Sequence, residues 1–154
     1  MENTDFIIPQ VAEIKLTYSL PVKPSKLPKV AASRQAKEFF FQNWDLNKIE
    51  FVEQFKVMML NRASKVLGIL EISSGSSSGT VADPKLIFAG ALKANASSII
   101  LAHNHPSGNL HPSQADIDLT RKLREGGKLL EIAVLDHLII TRESYYSFAD
   151  EGIM

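Results

Sequence analysis

Apolar positions recur along the chain with two different periods, and each change of period marks a new element. In "VAEIKLTYS" (Val11–Ser19) apolar and polar residues alternate closely enough to predict a strand. The next stretch, "LPVKPSKLPKV", carries Pro21, Pro24 and Pro28, which exclude a helix and favour an extended connector. The period then lengthens. Ala36, Phe39, Phe40 and Trp44 in "RQAKEFFFQNW" approximate one helical face, with Ser33 placed as the N-cap. "EQFKVMML" and "KVLGILEI" predict two strands, joined into a hairpin by the turn-forming "NRAS". "SSGSSSG" (Ser73–Gly79) is a low-complexity loop; it lacks the G-K-[ST] ending of a phosphate cradle, so flexible linkage is expected. It leads into a helix and so borders any cleft beneath it. That helix is capped by Asp83, starts at Pro84 and turns Ile87, Phe88, Ala91 and Leu92 inward.

"SSIILAH" is a short, strongly apolar strand ending in a loop rich in proline and glycine. "SQADIDLTRKLREGG" reads as an amphipathic helix stopped by Gly126 and Gly127. "LLEIAVLDHLIIT" is apolar on both strand faces, which predicts a central strand covered from both sides, and "YYSF" adds a last short one. Strands interleaved with helices around a buried strand predict an α/β fold, a sandwich built on a mixed sheet. No internal repeat is present.

At 154 residues and 45% hydrophobic content, the chain is one domain's length and has enough apolar surface for a core. Its 17 basic and 17 acidic residues cancel, which argues against the whole surface being a nucleic-acid or membrane platform. Locally the balance fails: Lys15, Lys23, Lys26, Lys29, Arg34 and Lys37 lie between Ile14 and Lys37 with no acidic residue among them. Such a run can track a phosphate backbone, and a solvated connector has the same composition. "MENTDFIIPQ" lacks a basic-then-apolar pattern, and no apolar run approaches the roughly 20 residues of a membrane span. A cytoplasmic protein that does not enter the membrane is expected. The absence of cysteine excludes disulfides, thiolate zinc sites and the H-x-E/P-C-x-x-C chemistry of zinc deaminases.

The chemistry concentrates in "LAHNHPSGNLHPSQAD" (Leu101–Asp116). On an extended segment residues i and i+2 share a face, so His103 and His105 direct both imidazoles at one point while Asn104 turns away. Ser113 ahead of a helix, with Asp116 three residues on, has the spacing of a capping box. Asp116 also precedes Leu119 and Leu123 by three and seven residues, which puts it on the apolar stripe, whereas Asp118, Lys122 and Glu125 fall on the solvent side. A carboxylate aimed at a core needs a partner. Two neutral imidazoles and that carboxylate would form a three-ligand zinc site whose fourth position is left to water, the pattern of catalytic zinc. Zinc lowers the pKa of bound water from about 15.7 to around 7. Ser113 is then a candidate donor to a developing oxyanion, a role compatible with capping.

The run His103-x-His105, seven residues, Ser113, two residues, Asp116 resembles the JAMM motif of the JAB/MPN metalloprotease family. "LAHNHPSGNLHPS" and "VLDHLIIT" resemble its RadC-like branch in particular. The resemblance spans roughly Asn47 to Met154 and divides the chain into an N-terminal strand, connector and helix (1–46) and a JAB/MPN-like domain (47–154). It implies a three-layer α-β-α sandwich around a mixed, largely antiparallel sheet, related to the cytidine-deaminase-like architecture. It implies Zn2+ as cofactor, bound by His103, His105 and Asp116, with Ser113 helping to stabilise a tetrahedral intermediate. The family's proton-transferring glutamate matches Glu53 in "VEQFKVMML"; Glu71 is the rival. Glu53 shares strand parity with Phe55, Val57 and Met59, a face expected to be buried, where desolvation raises a carboxyl pKa. Glu71 shares a face with Leu67 and Ile69 on the same alternation. The implied activity is hydrolysis of a peptide or isopeptide bond, with a protein or peptide as partner and a DNA-repair association in name. The alternative is a non-catalytic, zinc-containing module linked to DNA transactions through the basic connector. Longer RadC-like proteins carry a helix-hairpin-helix region ahead of the domain, and the segment before Asn47 has no such pattern, so DNA binding does not carry over.

Four more residues invite a chemical role and earn less weight. His111 reads as a solvated loop histidine, and Ser107 lacks the G-x-S-x-G elbow of a serine nucleophile. Asp136 and His137 are adjacent on a strand, point to opposite faces and cannot pair with each other, so each is expected to find its own structural partner.

Overall fold

The computed structural model describes residues 10–76 and 81–154. Five strands form one mixed sheet in the order β2-β1-β3-β4-β5. They are β1 (Gln54–Leu60), β2 (Val66–Ser74), β3 (Ser98–Asn104), β4 (Ala133–Ile140) and β5 (Tyr145–Ser147). All neighbours are antiparallel except β3 and β4, which are parallel. Three α-helices complete the described fold: α1 (Ser33–Gln42), α2 (Pro84–Lys93) and α3 (Gln114–Leu129).

Two apolar clusters, one on each face of the sheet, give the three-layer sandwich its shape. On one face Phe40 and Trp44, from α1 and the residues after it, pack on Met58, Leu60, Ile100, Ala102, Leu138 and Ile140. On the other, Ile87 and Ala91 of α2 and Leu123 of α3 pack on Val57, Met59, Ile99, Leu101 and Val134. β1 and β3 are buried along their whole length because each has a cluster on both sides. The hairpin turns as its sequence predicts: Asn61 Oδ1 accepts from Ala63 and Lys65 N–H, each at 3.0 Å, and Ser64 takes a φ of +59°. α2 is capped by Asp83, whose side chain accepts from Lys85 N–H, with Pro84 in the first turn. Among its predicted inward residues Ile87 and Ala91 are buried, whereas Leu92 is 55% exposed.

Several expectations are corrected. Val11–Ser19 is not a strand: Val11, Ile14 and Leu16 are 86–87% exposed and the segment pairs with no strand among the described residues. Its alternation offers one face but no sheet edge receives it; Lys93 Nζ ties it to α2 through a 3.1 Å bond to the Thr17 carbonyl. The connector stays largely extended apart from a single 3-10 turn at Pro24–Lys26. The N-cap of α1 is Ala32, not Ser33, because the Ser33 hydroxyl is engaged by Tyr145 and Asp150 near β5. α3 does not stop at Gly126 but runs through both glycines to Leu129. Those glycines serve close packing. A Cβ on Gly127 would collide with the Ile132 carbonyl oxygen, and one on Gly126 would lie 3.0 Å from the Phe88 ring. The central strand is β3; β4 stands beside it, and its Leu135 is 44% exposed. A bulge at Leu67 in β2 separates Leu67 from Ile69, which pack on opposite faces. In the low-complexity run, Ser73 and Ser74 close β2, while Ser77–Gly79 lie outside the described residues, as does the start of the chain through Pro9. No helix among the described residues is long and apolar enough to cross a membrane.

Candidate metal centre

The site forms where β3 ends and α3 begins. In the central strand His103 lies opposite Phe55 of β1 and Ile139 of β4, on the face covered by α2 and α3. His105 follows on the same face, one residue past the strand. The intervening Asn104 points to the other side and is fully buried. Its Oδ1 accepts from Gln54 N–H at 2.7 Å, and its Nδ2 donates to the Ile49 and Val52 carbonyls, each at 2.8 Å. Asn104 thus pins the segment that leads into β1 and carries Glu53. The Glu53 backbone is also tied to Ser76 and Gly75, at 3.0 and 2.8 Å.

At the helix start the capping box is present. Ser113 Oγ accepts from Asp116 N–H at 3.1 Å, and Asp116 Oδ2 accepts from Ser113 N–H at 2.8 Å. The same carboxylate oxygen faces the histidines, 3.4 Å from His103 Nε2 and 3.7 Å from His105 Nε2, and the two Nε2 atoms are 3.0 Å apart. Glu53 Oε1 completes the group, 3.8 Å from His105 Nε2. Donor atoms of Glu53, His103 and His105 all lie within 4.8 Å of one another, a set able to hold a metal ion.

Two possible ligand triads therefore share the histidine pair. Donors held about 2.0–2.1 Å from a tetrahedral ion sit about 3.3–3.4 Å apart. The triangle through Asp116, with sides of 3.0, 3.4 and 3.7 Å, matches that spacing more closely than the triangle of Glu53 with the two histidines. The donor chemistry agrees. His105 Nδ1 lies 2.5 Å from the Asn109 carbonyl, which can only accept, so the ring donates there and its Nε2 lone pair faces the group. Burial pushes the Asp116 carboxyl up, but the adjacent His103 and His105 imidazoles and the Ser113 N–H outweigh it and hold its pKa far below the usual carboxylate range. Burial likewise opposes a charge on His105, and the Asp116 carboxylate and Asn109 carbonyl overcome it, so the His105 pKa is raised. One positive charge shared among these atoms, a proton or a metal, would satisfy all of them.

Glu71 stands apart from this group. It lies on the opposite face, accepting from Gln54 Nε2 at 2.8 Å and lying 4.0 Å from Lys56 Nζ. His111 is exposed, and Ser107 Oγ accepts from Asn109 N–H inside the loop. Asp136 and His137 do face opposite ways. Asp136 accepts from His137 N–H, Ala149 N–H and Ser147 Oγ at 2.7, 3.0 and 2.6 Å; burial raises its pKa nonetheless. His137, fully buried, stacks on Phe148 with ring centroids 4.6 Å apart and places its Nε2 2.8 Å from His103 Nδ1. Burial, then the neighbouring His103, holds His137 well below the usual histidine pKa. Sequence reasoning missed this contact and the strut made by Asn104. Both residues were visible as polar positions within apolar strands, but their partners depend on strand register.

Comparison with known proteins gives a consistent result. A family profile described as the RadC-like JAB domain matches residues 30–153. A UPF0758 protein of Flavobacterium johnsoniae is 43% identical over 128 residues, 83% of this chain and 55% of that protein. UPF0758 proteins of Thermosynechococcus vestitus and Geotalea uraniireducens are 48% and 45% identical over 98 and 102 residues, which is 64% and 66% of this chain and 39% and 45% of theirs. The chain thus spans about half the length of the curated relatives it matches.

Proposed function

This chain belongs to the RadC-like JAB domain family, as the match over residues 30–153 shows, and from that premise we propose that it is a zinc-dependent hydrolase of a peptide or isopeptide bond. One observation carries the reading. Three electron-rich atoms, His103 Nε2, His105 Nε2 and Asp116 Oδ2, face one another at 3.0–3.7 Å with tetrahedral spacing and a further carboxylate beside them. Bound there, zinc supplies Lewis acidity toward a carbonyl oxygen and hydroxide at neutral pH. Three protein ligands leave room for that chemistry, whereas a structural site uses four.

The chain's own groups do the rest. Glu53 is the base because it stands next to the ligand triangle without being its closest third member, 3.8 Å from His105 Nε2, with its side chain only 15% exposed. It accepts a proton from the attacking water and delivers it to the departing nitrogen. Positioned acid–base groups of this kind contribute about 10²–10⁴ in rate. Ser113 Oγ already accepts from Asp116 N–H, and its own hydrogen is directed to the developing oxyanion. A small polar cavity lined by His105, Glu50, Ser107 and Arg142 adjoins the centre. The substrate class is a protein or peptide with a scissile amide.

The test is Glu53→Gln assayed on peptide and isopeptide libraries together with metal analysis. The variant is expected to keep zinc and lose turnover. Wild-type turnover in Glu53→Gln removes Glu53 as base, and hydrolysis that survives complete metal removal contradicts the reading as a whole.

A further inference from the structure

Behind the candidate centre runs a chain of buried polar contacts that links two of its ligands from the rear. The Asp116 backbone carbonyl accepts from Thr120 Oγ1 at 2.7 Å. Thr120 Oγ1 lies 2.6 Å from His137 Nδ1, and His137 Nε2 lies 2.8 Å from His103 Nδ1. Thr120 and His137 are 2% and 0% exposed, so no solvent replaces a missing partner.

Proton placement along this chain has one solution. A carbonyl can only accept, so the single hydroxyl hydrogen of Thr120 goes to Asp116. Thr120 Oγ1 must then accept from His137, which fixes the His137 hydrogen on Nδ1 and leaves its Nε2 as an acceptor. His103 has to donate from Nδ1 in turn. In the neutral ring its Nε2 is left with a bare lone pair, directed at the position shared with His105 and Asp116.

We infer that Thr120 and His137 are positioning residues for the metal: they hold His103 in the Nδ1–H tautomer, ready to ligate through Nε2. The inference rests on the metal-holding part of the reading above and not on hydrolysis. It also explains why α3 and β4 are coupled at this point, since Asp116 supplies both a ligand oxygen and the acceptor that orients the chain.

Thr120→Val keeps the shape and deletes the hydroxyl. His137 Nδ1–H then has no acceptor in the core, the alternative His137 tautomer donates from Nε2 to His103 Nδ1, and the His103 hydrogen is driven onto Nε2, where it blocks ligation. Thr120→Ser restores the hydroxyl and is the rescue. Two measurements on the full chain decide. Long-range 1H–15N spectra of the imidazoles, taken on metal-free protein with the rings neutral, should show Nδ1–H on both His103 and His137 in wild type and Thr120→Ser. In Thr120→Val, His103 should carry its hydrogen on Nε2. Zinc affinity, measured by competition with a chromophoric chelator, should fall about 10–100-fold in Thr120→Val, the usual cost of losing a supporting partner, and recover in Thr120→Ser. An Nε2–H signal from His103 in wild type overturns the inference, as does folded Thr120→Val binding zinc as tightly as wild type. If Thr120→Val does not fold, the wild-type and Thr120→Ser tautomers still decide. A wild-type protein with the expected tautomers that binds no zinc contradicts the metal reading and leaves the tautomer lock standing.

Discussion

Asn104→Asp is the sharpest test of how the site is assembled, because it changes hydrogen-bond polarity at constant shape. Asn104 is fully buried, accepts from Gln54 N–H at 2.7 Å and donates to the carbonyls of Ile49 and Val52 at 2.8 Å. Aspartate preserves the first bond. Its second oxygen, however, would face two carbonyl oxygens that have lost their donor. Each buried group left unpaired costs about 1–3 kcal/mol, so the pair costs about 2–6 kcal/mol. That is a large share of a typical total of about 5–15 kcal/mol. A loss near about 4 kcal/mol lowers the midpoint of a domain this size by about 8–16 °C. The deficit should depend on pH. Burial among acceptors raises the folded pKa of the introduced carboxyl above its unfolded value of about 3.9, so the variant is least compromised below about pH 4 and its deficit grows as pH rises through the raised folded value. Thermal unfolding of wild type and variant, followed by circular dichroism across about pH 4–8, measures this difference directly. Zinc binding should survive, since the proposed ligands lie on the opposite face, while turnover falls as Glu53 loses its support. A variant within about 1 kcal/mol of wild type at neutral pH, or a deficit flat with pH, refutes the reasoning.

Three further outcomes follow from the same geometry. Ser113→Ala should keep zinc and lose about 10²–10³ in turnover, as expected for an oxyanion donor, and unchanged steady-state rates would return Ser113 to capping alone. Gly127→Ala drives a Cβ into the Ile132 carbonyl oxygen and should lose about 1–3 kcal/mol in denaturant titration, whereas Gly126→Ala meets the Phe88 ring and should be near neutral. In metal-free protein the Asp116 carboxyl has a folded pKa below its unfolded value, so its stabilisation is full above about pH 4 and lost as pH falls. The raised His105 pKa works the other way: its contribution is full below about pH 6.5 and lost as pH rises through the folded value. Unfolding midpoints should therefore show an Asp116–His105 contribution between those limits that Asp116→Asn removes.

Much of the fold was legible because periodicity reports burial, and burial is what strands and helices share in a small sandwich. The hairpin, α2 and β3 follow their patterns closely. Val11–Ser19 shows where the pattern misleads: alternation prepares a strand face, yet a strand needs an edge to pair with, and three prolines separate this one from the sheet. Gly126 and Gly127 mislead in the opposite direction. A paired glycine commonly ends a helix, but here close approach to Ile132 and Phe88 requires the missing Cβ inside the helix. At the site, spacing along the chain brought His103, His105, Ser113 and Asp116 into view because local geometry places them. Glu53 entered through family resemblance, and its position beside His105 depends on the β1–β3 register and on Asn104. The contact of His137 with His103 crosses from β4 to β3, a distance along the chain that no local pattern encodes.

The central claim is that His103, His105 and Asp116 jointly grip one divalent ion. Crystals grown with zinc and measured on both sides of its absorption edge test this most directly. The account predicts a single anomalous peak within bonding distance of His103 Nε2, His105 Nε2 and Asp116 Oδ2, with Glu53 alongside but unbonded. A peak that takes Glu53 in place of Asp116, or no peak between the two imidazoles, would contradict it.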